Sequence, residues 1–223
     1  MMTLPADPPR DCGLCPRLEA FRTRNRAAWP AWFNAPVPAF GPVSAPLLIV
    51  GLAPGLKGAN RTGRPFTGDD AGDLLYATLT QLGLGQGIYG ADAGDGFTLI
   101  GCRVTNAVRC VPPENKPTGA EVRACGDAYL AAELAALPHL RVAVALGRIA
   151  HDAVLRTLGR TRAHFPFAHG AEHVLSGAGP SGGDLILADS YHCSRYNTNT
   201  RRLTPAMFED VLSRAARRAT EKA

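Results

Sequence analysis

Two polar segments of the chain carry most of the residue types that could act on a substrate. The first, GLAPGLKGANRTGRPFTGD, covers residues 51–69, and the second, YHCSRYNTNTRRLT, covers residues 191–204. Their Gly, Asn, Thr, Arg and His residues offer free backbone amides, side-chain amides, positive charge and a titratable imidazole. Each segment follows a short apolar run that is typical of a strand. We therefore expect both at one edge of a sheet, where α/β proteins bind their ligands.

The first segment is not a nucleotide-binding loop. A Walker loop starting at Gly51 would need glycine at its sixth position, where the chain has Leu56. A dinucleotide fingerprint would need glycine at position 53, which is Ala53. What remains is a strand that runs into the turn Ala53-Pro54-Gly55, whose backbone amides are free to face a ligand.

The cysteines indicate a metal centre rather than disulfides, because nothing in the sequence indicates export and reducing compartments keep thiols free. The chain has six: Cys12, Cys15, Cys102, Cys110, Cys125 and Cys193. Cys12 and Cys15 form a C-x2-C pair, in which two thiolates can face one metal centre. Cys110 and Cys125 are the best candidates for further ligands, since the other two lie in an apolar strand and in the second polar segment. The spacing leaves an iron–sulfur cluster, zinc and a redox pair open.

The elements that would position these residues alternate between strands and helices. Apolar runs predict buried parallel strands at residues 47–52, 97–104, 141–146 and 184–189. Helical spacing follows at residues 71–83, 118–137, 147–158 and 205–217. This order predicts an α/β fold of three layers, αβα, with a central four-stranded parallel sheet.

Local signals mark the starts of two helices. Thr118 and Glu121 fit a capping box, and Thr204 followed by Pro205 marks a second start. Residues 159–183 are rich in Gly and His without a strong period, so they predict a long surface loop or a hairpin.

The composition is that of a globular domain of ordinary size. A chain of 223 residues fits one domain, and 46% hydrophobic with 19% charged residues excludes a disordered chain or a coiled coil as the main element. No apolar stretch approaches the roughly 20 residues needed to cross a bilayer, and residues 1–13 contain no apolar signal segment. We therefore expect a cytoplasmic protein with no membrane partner.

The charge balance favours a polyanionic partner. The net charge is +5 and the pI about 9.1. Six basic residues lie in the two polar segments: Lys57, Arg61, Arg64, Arg195, Arg201 and Arg202. The alternative is that these are ordinary solvated surface charges.

Three motifs and the cysteine pattern resemble the type B, or family 5, uracil-DNA glycosylases of bacteria and archaea. The motifs are residues 51–69, the VRCVPPENKPT segment at residues 108–118, and the H-x-S-R-x-N pattern from His192 to Asn197. The resemblance covers almost the whole chain and implies a single uracil-DNA glycosylase-like domain over residues 1–223. It also implies a [4Fe–4S] cluster that ties the N-terminal segment to this domain, with the ligands Cys12, Cys15, Cys110 and Cys125.

The same resemblance implies a monofunctional DNA repair enzyme. Such an enzyme flips a deaminated base out of DNA and hydrolyses its N-glycosidic bond, which leaves an abasic site in base excision repair. We expect uracil to be removed, and hypoxanthine as well, because Ala53 replaces a polar residue of other branches. The implied partner is double- or single-stranded DNA that contains deaminated bases. We expect a monomer associated with the nucleoid.

Base recognition is implied for residues of the first segment and of the chain near Cys110. These are Gly51, Ala53, Gly55, Phe66, Asn106 and Asn115. Phe66 matches the position that stacks on the flipped base, although it could also be a core phenylalanine. An Asn amide can read a base edge because it both donates and accepts. Asn106 aligns with the base-reading Asn of the type A relatives, whereas Asn115 belongs to the Asn-Lys-Pro motif of this branch, so both stay candidates.

Catalysis is implied for His192 and Asp69. The base leaves as an anion, and His192 can donate a hydrogen bond to its oxygen. A carboxylate must hold or deprotonate water and offset the positive charge on the sugar, and the Asp of Thr-Gly-Asp is Asp69. Asp70 and Asp73 are alternatives for this role, or could cap the helix that begins near residue 71.

Contacts to DNA are implied for a basic group that also includes one amide. Its members are Arg61, Arg195, Asn197, Arg201 and Arg202. Cys193 stands where relatives carry an apolar residue or proline, which leaves the local loop geometry open. Two other functions remain compatible with the sequence: a non-catalytic iron–sulfur DNA-binding or redox-sensing protein, and a hydrolase of free nucleotides.

Overall fold

The structure, a computed structural model, describes residues 7–221 of the chain. Residues 1–6 and 222–223 lie outside the described residues. The first and last residues of the predicted domain are among them, as is the start of the segment predicted to lack an export signal. The single domain over residues 1–223 stays a prediction. No helix in the described part of the chain is both long and apolar enough to cross a membrane.

A mixed sheet of five strands, in the order β4-β1-β5-β7-β6, forms the centre of the fold. Four of these strands run parallel and confirm the predicted parallel sheet: β1 (Leu47–Gly51), β4 (Cys102–Asn106), β5 (Val142–Leu146) and β7 (Leu185–Ser190). The fifth, β6 (Glu172–Leu175), pairs antiparallel with β7 at the edge. The predicted count of four strands is therefore one short.

Two stretches differ from the predicted strands for local reasons. Strand β6 lies in the predicted loop or hairpin, because an edge strand with Val174 58% exposed lacks the continuous apolar run of a buried strand. The run predicted at residues 97–104 is divided into β3 (Thr98–Leu99) and β4. Gly101 lies between them with a φ of 66°, which breaks the extended backbone. Strand β3 pairs with β2 (Gly85–Gln86) in a separate small sheet.

The described residues form eight α-helices. They are α1 (Pro16–Ala28), α2 (Ala59–Thr62), α3 (Asp70–Gln81), α4 (Gly119–Cys125), α5 (Ala131–Ala136), α6 (Arg148–Thr157), α7 (Arg195–Asn199) and α8 (Pro205–Thr220). The four predicted helices correspond to α3, to α4 and α5 joined by a π-helical turn (Gly126–Leu130), to α6 and to α8. Helix α1 was not predicted because it is polar and carries no apolar stripe. Its buried residues are Leu18, Arg22 and Asn25.

Both predicted helix starts are confirmed. The Thr118 hydroxyl accepts a hydrogen bond from the Glu121 amide at 3.3 Å, and the Glu121 carboxylate accepts one from the Thr118 amide at 2.7 Å. The Thr204 hydroxyl accepts from the Met207 amide at 3.2 Å, and Pro205 is the first residue of α8. These caps satisfy amides that have no partner within their helix.

Helices cover both faces of the sheet, because consecutive strand residues point to opposite sides. On one face, Leu47 and Ile49 of β1 pack with residues of α3 and α8. On the other, Leu48 and Val50 pack with residues of the π-helical turn, α5 and α6. All four side chains are fully buried. The predicted three-layer αβα architecture is confirmed.

Candidate functional site

The carboxyl ends of the parallel strands surround an open cavity of about 730 Å³. Both polar segments contribute to its lining, as do Asn106 at the end of β4 and the residues that follow β5. Parallel strands bring their carboxyl ends to one edge, so the loops that follow them meet there. The structure thus brings together side chains that are far apart in the chain.

The turn after β1 forms one wall of the cavity and needs glycine at close approaches. Ala53 and Gly55 line the cavity, whereas Gly51 does not. A Cβ atom on Gly51 would overlap the Asn106 Oδ1 and the Phe66 ring. Gly51 therefore makes room for two of the side chains that were predicted to contact the base.

Phe66 lines the cavity from a strained backbone position. Its φ is 50°, a left-handed conformation that is unusual for a bulky residue. The Tyr76 hydroxyl donates to the Pro65 carbonyl at 2.7 Å, and the Tyr89 hydroxyl to the Phe66 carbonyl at 3.3 Å. The Phe66 ring lies 5.8 Å from the His192 ring and is 6% exposed, within the core cluster. Phe66 therefore belongs both to the core cluster and to the cavity lining, and its stacking on a base stays a prediction.

Arg64 does not belong to the basic surface that the sequence indicated. Its guanidinium is buried, pairs with Asp95 at 2.7 Å and donates from Nε to the Thr67 hydroxyl at 2.8 Å. It also lies 5.1 Å from the centre of the Phe40 ring and near three further aromatic rings. The cation is buried because the carboxylate and the aromatic faces replace its water. Arg64 supports the loop that carries Phe66.

The two candidate asparagines occupy different positions at the cavity. Asn106 is 3% exposed, and its Oδ1 has no hydrogen-bond partner within the described residues. Asn115 is exposed at the rim and has a φ of 56°. An unpaired buried oxygen is costly unless a ligand satisfies it. Asn106 is therefore the better placed of the two to read a base edge.

Asp69 lies at the start of α3 and faces the cavity. Its carboxylate accepts a hydrogen bond from the Gly72 amide at 3.1 Å, so Asp69 is the helix cap. The prediction that Asp70 or Asp73 could cap this helix is wrong, because both lie after the cap, in the first turn. Burial raises the pKa of Asp69 above its ordinary value, and the charges of Asp70 and Asp73 raise it further. Those two side chains are exposed in the first turn of α3. Gly58 makes room for this side chain, because a Cβ atom on Gly58 would overlap the Asp69 carboxylate.

His192 follows β7 and lines the cavity. Burial lowers its pKa to about 4, so the imidazole is neutral at physiological pH. The Asn197 amide donates to the His192 carbonyl at 2.8 Å. Asn197 therefore holds the backbone of His192, in addition to lining the cavity.

The predicted DNA-contacting arginines divide into two groups. Arg195 and Arg202 line the cavity; Arg195 pairs with Asp70 at 3.4 Å, and the Arg202 guanidinium lies 4.5 Å from the centre of the Tyr191 ring. Arg61 and Arg201 are exposed but do not line the cavity. The Arg61 Nε donates to a backbone carbonyl of the preceding turn at 2.8 Å.

The cavity residues that the sequence analysis missed include Arg148, Phe167 and Tyr191. Arg148 follows β5, and its guanidinium lies 5.6 Å from the centre of the Phe167 ring. Tyr191 stacks on His169 with ring centres 4.9 Å apart. The position of Arg148 after a parallel strand was a usable signal. Phe167 lies in a stretch of sequence without periodicity, so the sequence contained no signal for it.

The four cysteines implied as cluster ligands meet around a second, small cavity. Cys12, Cys15, Cys110 and Cys125 line it together with apolar and basic side chains. The Arg109 amide donates to the Cys125 sulfur at 3.3 Å. Burial raises the pKa of Cys110 to about 11 and the pKa of Cys125 to about 12. These side chains come from the N-terminal segment, the turn after β4 and helix α4.

A buried ionic network lies behind the cysteines. The Glu133 carboxylate accepts a hydrogen bond from Arg109 Nη2 at 2.9 Å and another from Arg103 Nε. All three side chains are at most 8% exposed. Glu133 lies on α5, Arg103 on β4, and Arg109 next to Cys110, so the network joins a helix, a strand and the cysteine site.

Comparison with known proteins places these features in a family. Residues 38–216 match the sequence profile of the Uracil DNA glycosylase superfamily. The chain is 49% identical to the Type-5 uracil-DNA glycosylase of Thermus thermophilus over 214 residues, 93% of this chain and 94% of that protein. It is 41% identical to the Type-5 uracil-DNA glycosylase of Pyrobaculum aerophilum over 92% of this chain and 88% of that protein. The Type-4 uracil-DNA glycosylase of the same organism is 38% identical, over 56% of this chain and 55% of that protein.

Proposed function

Because this chain belongs to the Uracil DNA glycosylase superfamily, we propose that the cavity at the carboxyl edge of its sheet removes uracil from DNA. The resemblance predicted from the motifs is confirmed, as is the prediction of an enzyme that hydrolyses N-glycosidic bonds. The observation that carries the proposal is the arrangement of Asp69, Asn106 and His192 around one cavity. A carboxylate, an amide and a neutral imidazole are the groups that this hydrolysis requires.

The base is held from two sides in the proposed complex. The Asn106 amide lies at the end of β4 with its Oδ1 unpaired in the described structure, and the flipped base supplies the missing donor. His192, which is neutral, donates a hydrogen bond to a base oxygen. This bond strengthens as the base takes up negative charge, so it stabilises the transition state more than the ground state. The Phe66 ring offers an apolar face for the base.

Asp69 acts on the water in this proposal. Water adds to C1′ of the sugar while the bond from C1′ to the base nitrogen breaks, and the bonding electron pair leaves with the base. The Asp69 carboxylate accepts the proton of the water and offsets the positive charge that develops on the sugar. Its raised pKa suits a group that must take up a proton.

The cavity supports a lesion range wider than uracil. Ala53 contributes a methyl group where a polar group would restrict the base, and the cavity of about 730 Å³ has room for a purine. We therefore include hypoxanthine among the proposed substrates. The reaction on hypoxanthine has the same course, with the purine leaving as the anion.

Contacts to phosphates come from the arginines at the rim. Arg195, Arg202 and Arg148 are exposed and line the cavity. Each phosphate neutralised by such a group releases counterions, so binding to DNA should weaken as salt rises. Action on both double- and single-stranded DNA, the monomeric state and the association with the nucleoid stay predictions from the sequence.

We also propose that the four-cysteine site holds a [4Fe–4S] cluster. Among the described residues, the one group of His, Cys, Asp and Glu side chains placed to hold a single metal ion is His151, His173 and Asp189, and the four cysteines do not form such a group. The sulfurs of one tetrahedral zinc ion would lie about 3.8 Å apart, given Zn–S bonds of about 2.3 Å. A four-iron cluster is larger, and donors such as the Arg109 amide already point at the sulfurs, which fits this group. Its contribution is structural: it would tie Cys12 and Cys15 to Cys110 and Cys125.

The proposed function is tested by strand cleavage at abasic sites. Purified protein is incubated with labelled duplexes that carry one uracil or one hypoxanthine, and abasic sites are then cleaved with alkali. We expect cleavage at the lesion in both duplexes and none in an undamaged duplex. Intact protein that binds the uracil duplex without releasing the base would instead favour the non-catalytic iron–sulfur DNA-binding or redox-sensing alternative.

The rate of base release should fall at acidic pH because of a single group, Asp69. Asp69 acts ionised, so the single-turnover rate should fall as the pH drops through its pKa, which lies above the ordinary carboxyl value. The pKa of His192 is about 4, so its imidazole is already neutral at about pH 6–7, where a histidine ordinarily titrates. His192 should therefore add no inflection to the rate profile in that range. Rates are measured on the uracil duplex at constant ionic strength. A rate that declines as the pH rises through 6–7 would mean that protonated His192 is required, which contradicts the proposal.

Loss of one cysteine ligand should affect cluster and stability together. In Cys12→Ala we expect less bound iron and a lower midpoint of thermal unfolding, because the N-terminal segment is no longer tied to the sheet. The matched control is Cys102→Ala, which removes a buried thiol of β4 outside the cysteine site and should keep the iron. Iron content and unfolding are measured on protein purified without oxygen. Full iron occupancy in Cys12→Ala would remove Cys12 as a ligand.

A further inference from the structure

A third group of metal-binding side chains lies outside both sites. It consists of His151 on α6, His173 on β6 and Asp189 on β7. One ligand atom of each residue lies within 4.8 Å of the others, and none of the three residues lines either cavity. His151 and Asp189 are buried, whereas the His173 side chain is 13% exposed. The family motifs of the sequence include none of these residues.

Two atoms of this group lack partners in the described structure. Asp189 Oδ2 and His173 Nε2 are buried and have no hydrogen bond, although they lie 3.4 Å apart. Buried polar atoms are rarely left unpaired, so this pair calls for an explanation. Ligands that lie about 2.0–2.1 Å from a tetrahedral zinc ion are about 3.3–3.4 Å from one another. The separation and the absence of a hydrogen bond therefore match two ligands of one ion.

His151 is oriented as a metal ligand usually is. Its Nε2 lies 2.9 Å from the Phe165 carbonyl oxygen, and its Nδ1 faces the Asp189 carboxylate at 2.7 Å. Histidines that bind metals commonly donate their remaining N–H to a backbone carbonyl, which fixes the ring and leaves the other nitrogen for the ion. With an ion present, His151 Nδ1 would exchange its hydrogen bond with Asp189 for a bond to the metal.

We propose that His151 Nδ1, His173 Nε2 and Asp189 Oδ2 bind one divalent transition-metal ion. Two imidazoles and one carboxylate suit zinc or a similar first-row ion better than calcium or magnesium, which prefer oxygen ligands. Three protein ligands leave a fourth position for water, which can enter beside the partly exposed His173. The ion joins α6, the edge strand β6 and β7. Its ligand Asp189 is close to His192 in the chain, so the ion also fixes the end of the strand after which His192 lies.

The proposal is tested by zinc binding to protein that carries its full iron complement, so that the cysteines are occupied. We expect wild type to bind one zinc ion per chain in equilibrium dialysis and to unfold at a higher temperature when zinc is added. His173→Ala should bind zinc more than about 10-fold more weakly and show no such rise in temperature. His139→Ala, which removes an exposed histidine outside the group, should behave as wild type.

The opposite results are equally distinct. Zinc uptake that is unchanged in His173→Ala would place the ion at another site, and no uptake by wild type at about 100 µM zinc would leave only an ion pair between His151 and Asp189. Asp189→Asn is the second variant, since it keeps the shape of the side chain. It should lose zinc in parallel with His173→Ala, and retention of zinc in it would overturn the proposal.

Discussion

Replacing Asp69 with Asn is expected to lower the single-turnover rate of uracil release by about 10²–10⁴-fold, the contribution typical of a general base. The amide cannot take a proton from water and does not offset the charge on the sugar. It can still accept the hydrogen bond from the Gly72 amide, because Asn is as good a helix cap as Asp. The loss should therefore be confined to the chemical step. The measurement is the rate of base release with enzyme in excess over the uracil duplex.

Stability separates this effect from a structural one. Burial raises the pKa of Asp69, so its ionised form is less favourable in the folded protein than in the unfolded chain. At neutral pH the Asn variant should therefore be at least as stable as wild type. A variant that loses both activity and stability would indicate that Asp69 acts mainly as the helix cap.

The neighbouring carboxylates supply the matched controls. Asp70 and Asp73 are exposed in the same helical turn, so Asp70→Asn and Asp73→Asn remove a similar charge at a similar place. Both variants should retain most of the activity, with a small fall in the pKa of Asp69. If Asp73→Asn abolished base release while Asp69→Asn did not, the water partner would have to be reassigned to Asp73.

Replacing Glu133 with Gln should produce the largest loss of stability. Glu133 is the carboxylate partner of both Arg103 and Arg109, and all three side chains are buried. Removal of one partner from a buried ion pair costs about 3–5 kcal/mol, because the remaining charge is left unpaired. Here Arg103 would be left without a carboxylate, and Arg109 would keep only the longer, partly exposed pair with Asp7 at 3.4 Å. The free energy of unfolding in urea should fall by at least that amount.

A surface pair provides the comparison for this variant. Asp127 forms an ion pair with Arg156 at 2.6 Å, in the π-helical turn that precedes the helix of Glu133, but the two side chains are 61% and 36% exposed. Water solvates each charge of such a pair when the other is removed, so Asp127→Asn should cost about 0–1 kcal/mol. Similar losses in the two variants would contradict the view that burial makes the Glu133 network important.

The Glu133 variant also bears on the cysteine site. Arg109 lies next to Cys110, and its backbone amide donates to the Cys125 sulfur. A shift of Arg109 should therefore weaken the binding of iron, in addition to lowering stability. If Glu133→Gln loses its iron more slowly than it unfolds, the effects on iron binding and on stability are separate.

Much of the fold could be predicted because its signals are local. Continuous apolar runs identified the parallel strands, and side chains within one turn of Thr118 and Thr204 identified two helix starts. The edge strand β6 escaped because partial exposure interrupts its apolar pattern. The polar segments were expected at one edge of the sheet because parallel strands must end on the same side.

The sequence alone determined the alternation of strands and helices, the family motifs and the chemical types present at the site. The tertiary structure decided which member of each set is buried and what it contacts. Asp69 and Asp70 both line the cavity, but the structure made Asp69 the helix cap and left Asp70 exposed. It also buried Arg64 among aromatic rings. It also brought His151 to Asp189, 38 residues away. Such contacts depend on how elements pack across the sheet, and neither periodicity nor spacing along the chain contains that information.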